Sequence, residues 1–428
     1  MTLGGIILIG SFVVLLLLRF PVAVVLAISS LITAIYLNIP LEVIGQQIVQ
    51  GVNSYGLLAI PFFILAGLIM SEGGLALRLV NFAQLFVGAI RGGLAMVNCI
   101  ACMLFGNISG SAAADVASVG SVMIPSMKKK GYDPEFSVAV TSAAAIQGTV
   151  MPPSYNMILY AVAAGGVSIS SLFLAGIIPC LVMLTGLLLA TFFIAKKRGY
   201  EKGERIPLRD APKIIRDGFL SLLTGVIILG GIFSGLFTPT ESGAIACIYA
   251  YMITFFVYKD LPLKHTKIIF IKAFRTVSMV LFLIASSAAF AWILTYLKIP
   301  HLLADTLLTI SDNPLIILLI INILLLILGS PMDMAPLILI MTPILFPIVT
   351  AMGVDPVHFG IIMIMNLGIG LITPPVGTVL FVGAAIGKVS IERGSKALFP
   401  FYFVLVAVLL IVTYIPSISM WLPNLINS

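Results

Sequence analysis

Gly131-Tyr132-Asp133-Pro134 returns 222 residues later (131 to 353) as Gly353-Val354-Asp355-Pro356. The same gapless shift carries Pro125 onto Pro347, Gly148 onto Gly370 and Pro152-Pro153 onto Pro374-Pro375. It also carries Ala163 onto Ala385 and Gly165 onto Gly387. Chance similarity between apolar stretches would match Leu with Ile. Here the shared residues are those that shape backbone, so the chain reads as an internal repeat. The charges around the repeat alternate. Lys128-Lys129-Lys130 falls on Thr350-Ala351-Met352, and Lys196-Lys197-Arg198 falls on Ile418-Ser419-Met420. In the other direction Lys388, Arg393 and Lys396 fall on Gly166, Ser171 and Leu174. Where one half is basic the other is neutral, which predicts one fold unit inserted twice in opposite orientations. Such inverted repeats characterise secondary transporters with sites near the bilayer midplane.

Composition places this unit in lipid. Of 428 residues, 61% are hydrophobic and only 9% charged, whereas a soluble domain has about a quarter charged. The expected fold class is therefore an all-α polytopic membrane protein, since only helices satisfy their own backbone in lipid short of a closed barrel. Crossing roughly 30 Å takes about 20 residues. Spans are predicted at about 3–18, 20–37, 55–71, 135–165, 170–195, 218–237, 243–258, 276–297, 357–387 and 398–415. Four shorter apolar pieces, 92–105, 112–127, 314–328 and 335–349, flank the polar tips Gly106–Ser111 and Gly329–Asp333 and read as two re-entrant hairpins, about 92–127 and 314–349. Each repeat, 1–195 and 218–428, then holds about five spans and one hairpin, joined by a cytoplasmic linker at 196–217. The basic residues, Lys298 apart, fall on one side, which places both termini outside. The net charge of +7 thus reports topology rather than nucleic-acid binding.

The over-long spans 135–165 and 357–387 carry Pro-Pro near their middles. Two consecutive prolines remove two amide donors and clash with the preceding turn, so each span should break and expose half-helix ends that can hold ions and substrate. Asp115 and Asp333 are the only carboxylates well inside apolar segments, where ionisation is costly and function is the default reading. Asp333 also reads as an N-cap with Pro336 behind it, and Asp115 as a first-turn residue. No Arg or Lys is expected at mid-depth, so an anionic substrate would be balanced by cations, helix N-termini and polar donors. The substrate-binding candidates are Asn107, Ser109, Ser111, Asp115, Ser154, Asn156, Ser330, Asp333 and Thr378. Oxygen ligands from unwound backbone and hydroxyls suit Na⁺ better than a transition metal. The Na⁺ candidates are Gly106, Ser109, Gly110, Thr149, Pro152, Gly329, Gly368, Gly370, Thr373 and Pro374. Asn366 is a further polar candidate.

Other signals are weak. Cys99-Ile100-Ala101-Cys102 lies in an apolar stretch, which favours a structural reading over redox chemistry. There is no GxxxxGK[ST] and no HExxH, and His265, His301 and His358 are scattered, with surface or loop roles expected. Glu241 reads as a helix-start acid. An intramembrane enzyme would need a catalytic pair, and Asp115 and Asp333 do not align (Ser111 meets Asp333), so no enzymatic activity and no cofactor are expected.

The segments Gly106–Asp115, Met127–Pro134, Val150–Ser154 and Gly368–Pro375 together resemble the large membrane subunit of tripartite ATP-independent periplasmic (TRAP) transporters, over nearly the whole chain. The resemblance implies an elevator mechanism in the bacterial inner membrane, with hairpins and broken helices forming a moving transport domain and the remaining helices a scaffold. It also implies Na⁺ coupling, a separate small four-helix membrane subunit, and a periplasmic binding protein that delivers an organic acid. The pattern looks closest to sialic acid transporters, with C4-dicarboxylate carriers as the neighbouring option. A stand-alone proton-coupled organic anion carrier, titrating Asp115 and Asp333, is the alternative.

Overall fold

The computed structural model describes residues 3–203, 206, 207, 209–311 and 313–427. Among these the secondary structure is helical, apart from one isolated β-bridge between Arg91 and Lys202. Among the described residues seven helices are long and apolar enough to cross a membrane.

The first half runs α1 (Leu3–Leu17), α2 (Val22–Tyr36), α3 (Leu41–Val52), α4 (Ala59–Glu72) and α5 (Leu75–Val87). Then come α6 (Gly93–Ser109), α7 (Ala112–Asp115) and α8 (Ser121–Lys129), the last two joined by a π-turn at Val116–Gly120. These three form the first hairpin. The broken span follows as α9 (Pro134–Ala145), α10 (Gln147–Val150) and α11 (Tyr155–Ala163), and α12 (Ile169–Lys197) closes the half. The second half runs α13 (Ala211–Phe233), α14 (Pro239–Met252), α15 (Thr266–Tyr296) and α16 (Ile299–Ile310). Its hairpin is α17 (Pro314–Gly329) and α18 (Met334–Ala351), its broken span α19 (Pro356–Gly370) and α20 (Thr378–Gly387). The chain ends with α21 (Ile391–Tyr414) and α22 (Ser417–Asn427). From the hairpins onward the two halves repeat the same element order at nearly the same offset.

The GxDP motif explains part of that order. Gly131 and Gly353 both take φ of +80°, a conformation that costs glycine little. Each ends its hairpin with the paired bonds of a Schellman turn. Gly131 N–H donates to Lys128 O (3.1 Å) and Tyr132 N–H to Met127 O (3.1 Å), while Gly353 and Val354 donate to Thr350 O (3.0 Å) and Val349 O (3.0 Å). The proline then takes the first position of the next helix, where its missing donor costs nothing. Four residues therefore reverse the chain twice in the same way.

Several boundaries differ from the sequence reading. The expected span 276–297 is the end of the longer α15, which begins at Thr266, and the expected 218–237 begins at Ala211. The polar basic loop masked both starts, because charged side chains tolerate helix where they reach water. The amphipathic helices α3, α5, α16 and α22 were not expected at all, since each is too short to cross lipid and carries too few apolar residues in a row. The first tip is also tighter than expected, because α6 continues through Ser109 and leaves only Gly110 and Ser111 outside helix. The cysteines and Glu241 match expectation. Cys99, Cys102, Cys180 and Cys247 are buried free thiols, and Glu241 completes a capping box with Thr238.

Each hairpin is docked on its broken span by a glycine pair. A Cβ built on Gly148 would lie 2.9 Å from Gly106 Cα and 2.2 Å from Asp115 Oδ2; one built on Gly370 would lie 2.6 Å from Gly329 Cα. Neither approach tolerates a side chain. Gly148→Ala should destabilise the protein by about 1–3 kcal/mol, the usual cost of overpacking, whereas Gly230→Ala, with open space around it, should be neutral. Thermal melting of the two purified variants measures the difference, and equal midpoints would refute the docking role of Gly148.

Candidate functional site

The first hairpin tip is a closed polar cluster. Ser111 caps α7, accepting Ala114 N–H (3.4 Å), and so sets Asp115 in the first turn of the returning helix. Asp115 is fully buried. One carboxylate oxygen accepts a very short hydrogen bond from the Ser109 hydroxyl, while Oδ2 has no partner. Ser109 Oγ also accepts from Ser111 N–H (3.2 Å), which folds the tip onto itself. Beyond the Pro152-Pro153 break, Asn156 Nδ2 donates to Gly110 O (3.2 Å), tying the tip to the start of α11. Asn156 Oδ1 and Ser154 Oγ are buried and unpartnered. A buried polar atom without a partner costs about 1–3 kcal/mol; Asp115 Oδ2 faces the Gly106–Gly148 seam, while Ser154 and Asn156 lie against Gly110 at the tip. Carboxylate, amide and hydroxyl oxygens are the ligand types a hard cation takes.

The second tip is built alike but open. Asp333 caps α18 through Met334 N–H (2.8 Å), as its sequence context suggests. Gly377 N–H donates to Ser330 O (3.3 Å), again joining the hairpin tip to the residues after the proline break. Pro374, Pro375, Val376 and Asp333 are exposed, whereas Pro152, Pro153 and Ser154 are buried. The two breaks meet near the centre of the chain's core, where a Cβ built on Gly368 would lie 3.1 Å from Thr149 Oγ1.

The structure thus brings Gly106, Ser109, Gly110, Ser111, Asp115, Pro152, Ser154 and Asn156 into one cluster. Gly329, Ser330, Asp333, Gly370, Pro374 and Thr378 lie around the second tip and break, and Thr149 and Gly368 lie between the two clusters. Some candidates have local roles. Thr149 and Thr373 donate back to Ile146 O (2.8 Å) and Ile369 O (2.8 Å), and the Ser330 hydroxyl donates to Ile327 O (3.0 Å). Asn107 turns away from the tip, with Oδ1 where a Cβ on α13's Gly225 would be, 2.4 Å off. Asn366 bonds Asn322 Oδ1 (2.6 Å) within the second half.

Sequence reasoning missed the walls of the site. A cavity of about 230 Å³ opens beside the first tip, lined by Ser109, Ser111 and Tyr155 on one side and by α4 (Gly67, Ser71) and α15 (Thr276) on the other. A larger one, about 660 Å³, lies between α18 and the α11–α12 loop on one side and α3, α14 and α15 on the other. A hydroxyl contact crosses between α4 and the first hairpin, Ser71 Oγ to Ser118 Oγ (2.7 Å). Glycines and serines in apolar helices carry no periodic signal that marks them as cavity walls. Of these walls only Ser109 and Ser111, at the polar hairpin tip, stood out in the sequence.

Two hairpins docked on two broken helices, with cavities between them and a second helical layer, define a helical membrane transporter. Comparisons agree. The model of the tripartite ATP-independent periplasmic transporter DctM component matches residues 9–418, and the chain belongs to that family. It is 44% identical to the uncharacterized protein YgiK of Salmonella typhimurium, over 98% of this chain and 97% of that one. It is 35% identical to the C4-dicarboxylate TRAP transporter large permease DctM of Rhodobacter capsulatus (99% and 100%) and 41% identical to the sialic acid TRAP transporter large permease SiaM of Vibrio cholerae (89% and 89%). The two latter relatives are named as permeases, not enzymes. In fold the chain is similar to the YdaH transporter of Alcanivorax borkumensis, with a TM-score of 0.63 at 14% identity over 90% of this chain and 89% of that one.

Replacing Asp115 tests the cluster. Asp115→Asn keeps shape and removes the charge, so transport should fall at least about tenfold, the factor given by about 1.4 kcal/mol of lost ion affinity, while the membrane yield of folded protein holds. Undiminished transport by the variant would remove Asp115 from the site.

Proposed function

We propose that this protein is a Na⁺-coupled uptake permease for an organic acid, working by an elevator movement in the bacterial inner membrane. The buried Asp115 Oδ2 without a partner carries the reading. An isolated carboxylate is expensive to bury, and a bound Na⁺ together with Asn156 Oδ1, Ser154 Oγ and tip carbonyls would neutralise it with oxygen ligands of the right hardness. The open second tip, with Ser330, Asp333 and Thr378, supplies the matching half-site. Mid-depth cations are absent from both tips, so the substrate's negative charge is balanced by the co-transported ions and by the helix N-termini that start at Ser111, Ser154, Asp333 and Gly377.

The cavities support movement of one layer past the other. Hairpins and broken helices lie on one side of both cavities and α3, α4, α14 and α15 on the other. Between them stand small residues and single hydroxyl contacts such as Ser71 to Ser118, which break at little cost. The inverted insertion of the two halves, with both termini outside, gives the moving layer matched faces on the two sides of the membrane.

Relatives named for C4-dicarboxylates and for sialic acid share a carboxylate-bearing cargo, so an organic acid is the substrate class for this chain. The family description as tripartite supports two partners, a small membrane subunit packed on the outer layer and a periplasmic binding protein. The test uses proteoliposomes holding this chain with its small subunit and binding protein. Uptake of labelled C4-dicarboxylate or sialic acid should require an inward Na⁺ gradient and stop when K⁺ replaces Na⁺. Uptake that continues unchanged in K⁺, or that follows a pH gradient instead, would overturn the coupling.

A further inference from the structure

His358 is not a loop residue. It sits in the first turn of α19, 2% exposed, and both ring nitrogens face hydrogen-bond partners. Nε2 lies 3.4 Å from Thr413 O, in the last turn of α21, and Nδ1 lies 2.7 Å from Ser419 Oγ on α22. A carbonyl only accepts, so Nε2 carries a hydrogen. Ser419 has one hydroxyl hydrogen, and Pro416 O lies within its reach (3.1 Å). If Ser419 donates there, Nδ1 must donate as well, and the ring is an imidazolium. A neutral ring can keep only part of this set. Either Ser419 rotates to donate to Nδ1 and abandons Pro416 O, or Nε2 loses its bond to Thr413 O. The neutral Nε2–H ring already satisfies both of its nitrogens, with Ser419 donating to Nδ1, whereas a proton added in this buried site forces Ser419 to turn from donor to acceptor and leaves a desolvated charge.

Thr413 leads from the ring to the core of the second half. Asn322 Nδ2 of α17 donates to Thr413 Oγ1 (3.1 Å), and Asn366 Nδ2 of α19 donates to Asn322 Oδ1 (2.6 Å). All of these residues are at most 2% exposed. Asn366 Oδ1 is left buried and unpartnered, one turn before Gly370, which docks on Gly329. Carboxamides do not relay protons, so this chain transmits position. It ties the ends of α21 and α22 to the hairpin and broken helix that form the second half-site.

The first half keeps only Thr191, at the place of Thr413, where it meets Cys99 Sγ (3.8 Å) rather than an asparagine. Under the repeat, Phe136, Ile100, Ala144 and Lys197 stand at the places of His358, Asn322, Asn366 and Ser419. There the helix start is held by a fixed ion pair instead, Arg198 to Asp133 at 2.5 Å, with the Tyr200 hydroxyl donating to the same carboxylate (2.7 Å). Asp355, freed from such a pair, caps α19 through Val357 N–H (2.7 Å) and His358 N–H (3.2 Å). Its carboxylate is the charged group nearest the ring. Of the elements packed on α19, α11 brings Tyr160, whose hydroxyl donates to Pro356 O (2.6 Å), and α21 brings Tyr414, which turns to Leu315 O (3.2 Å). α10, α17, α18 and α22 carry no titratable side chain, α12 carries Cys180, Lys196 and Lys197, and the charged residues of α21 lie at its far end.

We propose that His358 is a titrating site that positions the second half-site in its neutral form, so that proton binding there weakens cation binding through Thr413, Asn322 and Asn366. The choice of Na⁺ as probe rests on the coupling proposed above; the protonation itself does not. The experiment is thermal melting of the purified chain between about pH 5.5 and pH 8, the range in which histidine titrates, in choline chloride and in rising NaCl. Without Na⁺, the midpoint of the wild type over His358→Gln should be raised at the alkaline end, and this advantage should fade as pH falls and the buried ring takes up a proton. With Na⁺, half-maximal stabilisation should need about threefold more salt at the acidic end, and that difference should vanish in His358→Gln and in Asn322→Leu. If His358→Gln does not fold, Ser419→Ala provides the check by displacing the pH midpoint. A pH dependence identical in wild type and variants, or Na⁺ binding that strengthens on acidification, overturns the proposal. A normal pH effect in choline with no Na⁺ response at any pH would support the protonation site and count against Na⁺ coupling instead.

Discussion

Everything in this protein follows from one constraint: inside lipid, a backbone N–H or C=O must find a partner within the chain. Pro152-Pro153 and Pro374-Pro375 violate it deliberately by removing donors from the middle of two helices. The chain compensates by bringing a hairpin tip to each break, where Asn156 reaches Gly110 O and Gly377 reaches Ser330 O. Tyr402 adds a hydroxyl to Ile372 O (2.5 Å). These contacts require the hairpin backbone to come within reach of the broken helix, which is why Gly106, Gly148, Gly329 and Gly370 occupy the four facing positions. The interrupted helices are thus only partly repaired, and polar side-chain atoms beside the first break are left without partners.

The repair is unequal in the two halves. Around the first break nearly every residue is buried, and the polar atoms still lacking partners belong to side chains. Around the second break the prolines and Asp333 are exposed, and the repair is made by backbone and by a buried amide network further along α19. The outer ends of the broken helices differ in the same way. Arg198, Asp133 and Tyr200 clamp the first, with Tyr132, Phe136 and Tyr200 stacked beside them. The pair is partly exposed and contributes little stability by itself, but burial and the neighbouring Asp133 carboxylate push the Tyr200 phenol above its ordinary range. The second end has a histidine where the first has a phenylalanine. Two copies of one architecture have therefore been given different chemistry at equivalent places.

The parts of this arrangement legible in the sequence were those that depend on backbone. Gly131 and Gly353 need a left-handed conformation, Pro134 and Pro356 start helices, and the double prolines end them. Such requirements are local, so they survive as matching letters across the repeat. Asp115 and Asp333 stood out for a related reason, because a carboxylate in an apolar run is costly wherever the run ends up. The amphipathic helices α3, α5, α16 and α22 did not stand out. Their existence depends on lying against a neighbour or at an interface, and neither leaves a long apolar run.

The sequence by itself determined that the chain is helical, lies in a membrane, folds as two related halves and interrupts one helix in each. These are consequences of hydrophobicity and of what glycine and proline do to their own backbone. Only the tertiary structure decided which polar groups meet. Asn107 and Asn156 look equivalent in the sequence, yet one faces Gly225 of α13 and the other closes the first tip. His358 looked like one of three scattered histidines, yet it closes a buried network through Thr413, Asn322 and Asn366. Hydrogen-bond partners separated by tens to hundreds of residues are chosen by the packing of whole helices, and no local pattern records that choice.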